Sequence, residues 1–162
     1  MKLLDLKVCL EVYPDAAELP GADRTLLREA ETATQLAYAP YSHFRVGAAL
    51  QLADGTVVRG SNQENAAYPS GLCAERTALF WTGANHPGQP ILRLAIAACS
   101  AHQPGHFLAA APCGACRQAL LEYENRQGQP IRVIVRGVGQ HALVSPSIAN
   151  LLPLQFNLPA SK

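Results

Sequence analysis

A chain of 162 residues, 49% of them hydrophobic and 15% charged, is long and apolar enough to bury a core without the disulfides or structural metals that smaller domains need. Its formal net charge is only +1 and its lysines and arginines form no basic run, which argues against a nucleic-acid partner. No stretch approaches the roughly 20 apolar residues that a membrane span needs. We therefore predict one globular domain, residues 1–162, and the low charge favours assembly with further copies of the chain.

The number and spacing of the cysteines indicate the redox state of the cellular compartment. There are five, an odd number, and Cys113 and Cys116 form a C-x-x-C pair. The N-terminus carries Asp5 and Lys7 where an export signal would be continuously apolar. This usage predicts metal binding in a reducing compartment, the cytoplasm, and not disulfides.

The first half of the chain predicts three strands and a helix. Residues 4–13 alternate between apolar and polar side chains, which is typical of a half-buried strand. Asp23 is a candidate N-cap for a helix that Pro40 ends. Residues 44–52 alternate again, and an Asp-Gly turn signal returns the chain as a partner strand over 56–60.

The second half alternates helices and strands. We predict a helix over 72–84, a buried strand over 91–99 and a long loop over 100–112. A second helix follows over 113–123, and a strand over 131–135. Ser145-Pro146 is a signal for the start of a short helix. The pattern predicts an α/β fold with a mixed sheet flanked by helices, parallel around residues 91–99.

Three thiols lie at two predicted helix starts. Cys113 and Cys116 are one helical turn apart, and Cys73 begins the other helix. Thiolates are favoured zinc ligands, and three protein ligands leave one tetrahedral corner for water. Spacing alone leaves a structural zinc site or simple buried thiols open as alternatives.

Charged residues accompany these thiols. Glu75 follows Cys73 by two residues, where a carboxylate can move protons without ligating the metal. Arg76 and Arg117 stand beside ligands and can donate hydrogen bonds to sulfur, which offsets the negative charge of the thiolates.

The order of these motifs resembles the small cytidine deaminases, over roughly residues 23–157. The motifs that carry the resemblance are Tyr41-Ser42-x-Phe44-x-Val46-Gly47-Ala48-Ala49-Leu50, Asn62-x-Glu64-Asn65, Cys73-Ala74-Glu75-Arg76 and Pro112-Cys113-x-x-Cys116-Arg117. The resemblance implies a five-stranded mixed sheet in three layers, with residues 1–20 as an N-terminal extension that adds a strand.

It also implies an activity: the zinc-dependent hydrolysis of cytidine and 2′-deoxycytidine to uridine and 2′-deoxyuridine in pyrimidine salvage. Cys73, Cys113 and Cys116 would bind one zinc ion per subunit. Glu75 would protonate N3 of the cytosine, activate water for attack on C4 and pass a proton to the departing ammonia.

The remaining roles come from the resemblance as well. Asn62 and Glu64 would bind the ribose hydroxyls, Phe44 would pack on the pyrimidine, and the backbone at Ala74 would contact the base. A homotetramer is implied, in which Ala66, Tyr68 and Phe156 reach into neighbouring sites.

Simpler readings stay open for several of these residues. Asn62 and Glu64 could be turn residues, Phe44 a core residue, and Phe156 an anchor within its own subunit. An alternative function is deamination of another amino-heterocycle, such as an aminonucleoside antibiotic or a free base, on the same fold.

Overall fold

The computed structural model describes residues 1–157; residues 158–162, the end of the predicted domain, lie outside it. The described part contains seven strands and four α-helices. The strands are β1 (Glu11–Tyr13), β2 (Phe44–Leu52), β3 (Val57–Ser61), β4 (Ile91–Ser100), β5 (Phe107–Leu108), β6 (Arg132–Arg136) and β7 (Ala142–Ser145). The helices are α1 (Gly21–Ala33), α2 (Ala74–Asn85), α3 (Gly114–Gln127) and α4 (Ile148–Leu151).

The strands form one mixed sheet in the order β1-β7-β6-β4-β2-β3, with β5 beside β4. Strands β2 and β3 are an antiparallel hairpin, whose turn residue Gly55 has a φ of 89° that favours glycine. Strands β4 and β6 are parallel and are connected through α3, as predicted from the crossover. Helix α2 connects β3, at one edge of the sheet, to β4 near its centre.

Helices cover both faces of the sheet. Helix α1 lies over one face and buries Leu26 and Leu27 against a cluster that includes Ile134. Helices α2, α3 and α4 lie over the other face, where Leu79 and Leu120 join the larger core cluster. The predicted α/β fold with three layers is therefore confirmed.

Two glycines let helices approach the hairpin at backbone distance. A Cβ atom at Gly47 would collide with the backbone of α1 near Ala30. A Cβ atom at Gly60 would lie 2.5 Å from the carbonyl oxygen of Ala74 and 2.6 Å from the amide nitrogen of Ala78. The first turn of α2 is thus fixed directly against β3.

The N-terminal prediction is only partly right. The extra strand exists, but it is Glu11–Tyr13 and not residues 4–13. Residues 1–10 belong to no strand, and the side chains that should be half-buried are exposed. Alternation gives a strand one face to bury, but no other part of residues 1–157 covers that face.

The expected number of five strands is too low, since the sheet has seven, and two of these strands were missed. Strand β5 lies inside the predicted loop 100–112, and no pattern predicted β7. The helix start expected at Ser145-Pro146 is wrong by two residues. Ser145 ends β7, and the side chain of Ser147 caps α4 by accepting a hydrogen bond from the amide of Asn150 at 3.0 Å.

Helix limits differ by a few residues. Cys73 and Cys113 are the N-cap residues of α2 and α3, not members of their first turns. Asp23 is not an N-cap, since α1 starts at Gly21. Its buried carboxylate instead forms ion pairs with Arg93 at 3.0 Å and with Arg132 at 2.9 Å.

None of the helices within residues 1–157 has the length and apolar character needed to cross a membrane.

The contact at Gly60 yields a testable prediction. Gly60→Ala should lower the free energy of unfolding by about 1–3 kcal/mol, because the added methyl group overpacks against the α2 backbone. It should also reduce zinc retention, since Cys73 directly precedes that backbone. Denaturant unfolding and metal analysis of the purified variant measure both effects.

Gly21→Ala is the matched control, because a Cβ atom there has no neighbour within 4 Å. It should leave both quantities nearly unchanged. Wild-type stability and zinc content in Gly60→Ala would contradict the close approach.

Candidate active site

The site forms where the starts of α2 and α3 meet. The chain enters α2 through an extended stretch in which Leu72 and Gln63 exchange backbone hydrogen bonds at 2.9 Å. That stretch places Cys73 at the N-cap of α2. Cys113 holds the same position in α3, and Cys116 follows one turn later. Each helix therefore points its free backbone N–H groups toward the thiols.

The three thiols converge. The Sγ atoms of Cys73, Cys113 and Cys116 all lie within 4.8 Å of one another, and those of Cys73 and Cys113 are 3.9 Å apart. Tetrahedral zinc with Zn–S distances of about 2.3 Å needs sulfurs about 3.8 Å apart. The donor set and its spacing therefore fit zinc. Within the described part of the chain, no other cysteine, histidine or carboxylate group forms such a three-residue cluster.

The cluster favours thiolate. A hydrogen bond from Cys116, assisted by the guanidinium of Arg76, lowers the pKa of Cys73 to about 5. The same bond and burial raise the pKa of Cys116. The two thiols thus hold one proton between them, and Cys73 is the sulfur that ionises first.

The two arginines beside the ligands behave differently. Arg76 donates from Nη2 to the sulfur of Cys73 at 3.8 Å, as expected. Arg117 instead donates to the backbone carbonyls of Pro112 at 2.8 Å and Leu151 at 3.0 Å. No hydrogen bond from Arg117 to sulfur occurs among residues 1–157. Arg117 therefore fixes the start of α3 and joins it to α4.

Glu75 is a buried carboxyl group in the first turn of α2. It is 4% exposed and lines the cavity in front of the thiols. Burial raises its pKa above the usual value for glutamate, with the negative charge of Cys73 acting in the same direction. A carboxyl group with a raised pKa can both donate and accept a proton near neutral pH.

A cavity of about 880 Å³ opens onto this cluster. It brings together most of the residues that the sequence pointed to. The predicted residues that line it are Phe44, Asn62, Glu64, Ala66, Tyr68, Cys73, Glu75, Arg76 and Cys113. The remaining predicted residues, Ala74, Cys116, Arg117 and Phe156, are not part of its lining.

Glu64 is held on the cavity wall by a turn that the sequence analysis assigned no role. The hydroxyl of Ser42 donates to Oε1 of Glu64, and the amides of Tyr41 and Ser42 donate to Oε2 at 2.9 and 3.3 Å. The Ser42 hydrogen bond lowers the pKa of Glu64. These three hydrogen bonds leave acceptor capacity on the carboxylate for a ligand in the cavity that Glu64 lines. The Tyr41-Ser42 pair in the motif was the only sequence signal for this contact.

Asn62 connects the wall to β2. Its Nδ2 donates to the carbonyl of Phe44 at 2.9 Å, and its Oδ1 accepts from the amide of Val46 at 2.8 Å. This clamp fixes the strand end that carries Phe44 at the cavity rim. One N–H and one lone pair of the amide remain for a ligand.

One side of the cavity is open to solvent. Tyr68 is 91% exposed although it lines the cavity, and Cys113, one of the three clustered cysteines, is exposed too. Phe156 is 64% exposed, and its backbone carbonyl accepts a hydrogen bond from Gln118 at 2.9 Å. Phe156 therefore does not anchor the tail in the core of its own subunit.

Comparison with known proteins agrees with this geometry. Residues 20–128 match the family described as the cytidine and deoxycytidylate deaminase zinc-binding region. A cytidine deaminase of Sporosarcina psychrophila is 37% identical over 132 residues, which are 82% of this chain and 89% of that protein. A cytidine deaminase of Mycobacterium tuberculosis is 44% identical over 109 residues, 65% of this chain and 74% of that protein.

Solved structures are similar as well. The crystal structure of a cytidine deaminase from Burkholderia pseudomallei has a TM-score of 0.69 and 38% identity, and the match covers 82% of this chain and 97% of that one. The crystal structure of the Mycobacterium tuberculosis enzyme has a TM-score of 0.62 and 35% identity, covering 83% and 96%. The resemblance inferred from the motifs is confirmed.

The thiol cluster can be tested one cysteine at a time. Cys73→Ser and Cys116→Ser should each abolish tight zinc binding, because a serine hydroxyl does not ionise near neutral pH. Zinc content after dialysis, measured by atomic emission together with a thiol titration, reports the loss.

Cys9→Ser and Cys99→Ser are matched controls, since both thiols lie outside the cluster. They should retain full zinc content. Equal zinc loss in all four variants would contradict the assignment.

Proposed function

This chain belongs to the cytidine and deoxycytidylate deaminase family, and on that premise we propose that it hydrolyses cytidine and 2′-deoxycytidine. The products are uridine or 2′-deoxyuridine and ammonia, and the reaction serves pyrimidine salvage. One observation carries the proposal: the buried carboxyl group of Glu75 lines a nucleoside-sized cavity together with Cys73 and Cys113, two of the three convergent thiols.

Cys73, Cys113 and Cys116 would hold one zinc ion per subunit. When bound, zinc supplies Lewis acidity that makes a water molecule nucleophilic near neutral pH. Three protein ligands would leave a fourth coordination position for water, as a catalytic site requires. Arg76 stabilises the negative charge of the Cys73 sulfur by donating to it.

Glu75 moves the protons in this proposal. Its raised pKa lets it carry a proton to N3 of the cytosine, which makes C4 a better electrophile. The resulting carboxylate accepts a proton from the attacking water. It then delivers that proton to the amino group as the C4–N bond breaks and ammonia leaves, and it takes up the proton of the C4 hydroxyl as the carbonyl of the product forms, which restores the protonated Glu75. Burial excludes bulk water, which would otherwise exchange with these protons.

The cavity wall would orient the nucleoside. Phe44 packs against the pyrimidine, and the free N–H groups at the start of α2, including that of Ala74, contact the base. Glu64 accepts hydrogen bonds from the ribose hydroxyls, and Asn62 contributes its remaining donor and acceptor. This assignment is supported by the presence of both side chains in the lining of the same cavity as Cys73 and Glu75.

We propose a homotetramer in which neighbouring copies close the open side of the cavity. Exposed Tyr68 and the adjacent Ala66 line that open side, and Cys113 needs cover if it is to hold a metal in a dry site. Phe156, exposed on the tail, would reach into an adjacent site. Large apolar side chains on α2, Phe80 and Trp81, are also exposed and offer further contact area.

We place the enzyme in the cytoplasm. All five cysteines are free thiols, and thiols that hold zinc need a reducing compartment.

The proposed reaction predicts loss of the cytosine absorbance band when zinc-loaded protein is incubated with cytidine or 2′-deoxycytidine. Glu75→Gln should lower kcat by about 10²- to 10⁴-fold, because the proton carrier is removed, and should keep its zinc. Ultraviolet spectroscopy and ammonia release measure the reaction, and metal analysis measures the zinc.

Glu122→Gln is the matched control, since Glu122 is an exposed carboxylate on α3. It should behave as wild type. No loss of absorbance in zinc-loaded wild type would contradict the proposal, and ammonia from a different amino-heterocycle would establish the alternative substrate class.

The role of Glu64 makes a separate prediction. Glu64→Gln should lower kcat/KM for cytidine by about 10- to 100-fold, the value of a hydrogen bond to a charged group. It should affect 2′,3′-dideoxycytidine, which has no ribose hydroxyl at these positions, far less. Steady-state kinetics on both substrates measure the difference.

Ser42→Ala separates orientation from binding. It removes the hydroxyl that holds Oε1 but keeps the carboxylate, so its effect on cytidine should be smaller than that of Glu64→Gln. Equal losses on both substrates in Glu64→Gln would show that the carboxylate only supports the turn.

A further inference from the structure

The N-terminal part of the chain presents an apolar row that nothing in residues 1–157 covers. Leu6, Val8, Leu10 and Val12 are 47%, 49%, 43% and 65% exposed. They alternate with polar residues, and the segment precedes residue 20, where the family match begins. A row of this kind is typical of a strand that is buried on one face by a partner.

One edge of this segment is already held. Strand β1 pairs with β7 in an antiparallel register that places Glu11 opposite Val144. Before β1, the side chain of Asn150 takes the place of a strand partner. It accepts from the amide of Cys9 at 3.2 Å and donates to the carbonyl of Cys9 at 2.9 Å.

The other edge is free. Because the backbone groups of Cys9 point inward to Asn150, strand geometry points those of Val8, Leu10 and Val12 outward. Strand β1 is the last strand of the sheet on this side. An unpaired edge with an apolar face is a template for pairing with another strand.

We propose that residues 6–12 form an antiparallel pair with residues 6–12 of a second copy, across a two-fold axis at Cys9. This joins two sheets edge to edge. The interface is additional to the contacts that complete the active site, and it does not depend on the proposed reaction.

Charge selects the register. A two-fold axis at Lys7 would place two lysines opposite each other, and an axis at Val8 would place Asp5 opposite Glu11. An axis at Cys9 places Lys7 opposite Glu11 twice, which pairs opposite charges.

The same register satisfies the backbone and the apolar row. It sets Val8 opposite Leu10 and Leu6 opposite Val12, so the outward N–H and C=O groups of these residues bond across the axis. Glu11 is fixed for this contact, because it forms a bidentate pair with Arg132 at 2.9 and 3.0 Å. An axis at Leu6 would also pair opposite charges, since it sets Asp5 opposite Lys7. It would, however, leave β1, which β7 already holds in place, outside the paired segment.

Cys9 gives a direct test of the register. Opposed residues in a non-hydrogen-bonded antiparallel pair have Cα atoms about 4.5 Å apart, within the range of a disulfide. Mild oxidation of the zinc-loaded wild type should therefore yield a dimer linked through Cys9 of both copies. Non-reducing electrophoresis detects it, and peptide mass analysis identifies the bond.

Lys7→Cys in a Cys9→Ser background is the matched control. In the proposed register the two introduced thiols lie about 13 Å apart, four residues along the strand, and should not cross-link. Efficient cross-linking of this variant would overturn the proposal, because it would reveal random collisions of a loose segment. Absence of the Cys9 dimer in wild type would overturn it equally.

Sedimentation provides a second, independent readout. Val8→Lys places a charge in the apolar row and should lower the particle mass. Val138→Lys, at a valine that is exposed in the turn between β6 and β7, should leave the mass unchanged. Both variants should keep wild-type turnover of cytidine, so failure of this interface is distinguishable from failure of the reaction. An unchanged mass in Val8→Lys would contradict the pairing.

Discussion

The convergence of two helix starts is the constraint on which the site depends. Three sulfurs come within zinc-binding distance only because the first turn of α2 lies against the backbone of β3 at Gly60 and the start of α3 is fixed by Arg117. Cys73 and Cys113 are both N-cap residues. Their sulfurs therefore lie beside the free N–H groups at the starts of the two helices.

The charged side chains around the thiol cluster differ in role according to where they lie. Arg76 donates to the most acidic sulfur, while Glu75, two residues from the same thiol, is buried with a raised pKa. The two residues are neighbours in sequence but have opposite tasks, because Arg76 offsets the negative charge of the cluster, whereas burial raises the pKa of Glu75 and keeps it protonatable. Glu64 lines the same cavity, and the hydrogen bond from Ser42 lowers the pKa of its carboxyl group. One cavity thus contains a carboxyl group suited to proton transfer and a carboxylate suited to accepting hydrogen bonds.

Local patterns predicted the parts of this molecule that depend on local physics. The hairpin at Gly55, the two cysteine-bearing helix starts and the buried central strand were found from turn chemistry and periodicity. Strand β7 was missed because four residues carry too little periodicity, and the turn around Ser42 was missed because its partner, Glu64, is 22 residues away. The alternation in residues 4–13 predicted a buried strand face, but no described part of the chain buries it, and periodicity does not say which chain does.

The proposed reaction requires an open metal site with three thiolate ligands, and X-ray absorption at the zinc edge of the loaded protein tests for that site most directly. Three sulfur neighbours at about 2.3 Å and one nitrogen or oxygen neighbour are predicted, with the light neighbour replaced or shifted when a transition-state analogue of the nucleoside is added. Four sulfur neighbours, or a spectrum unchanged by the analogue, would indicate a closed structural site and contradict a catalytic role for the three thiols.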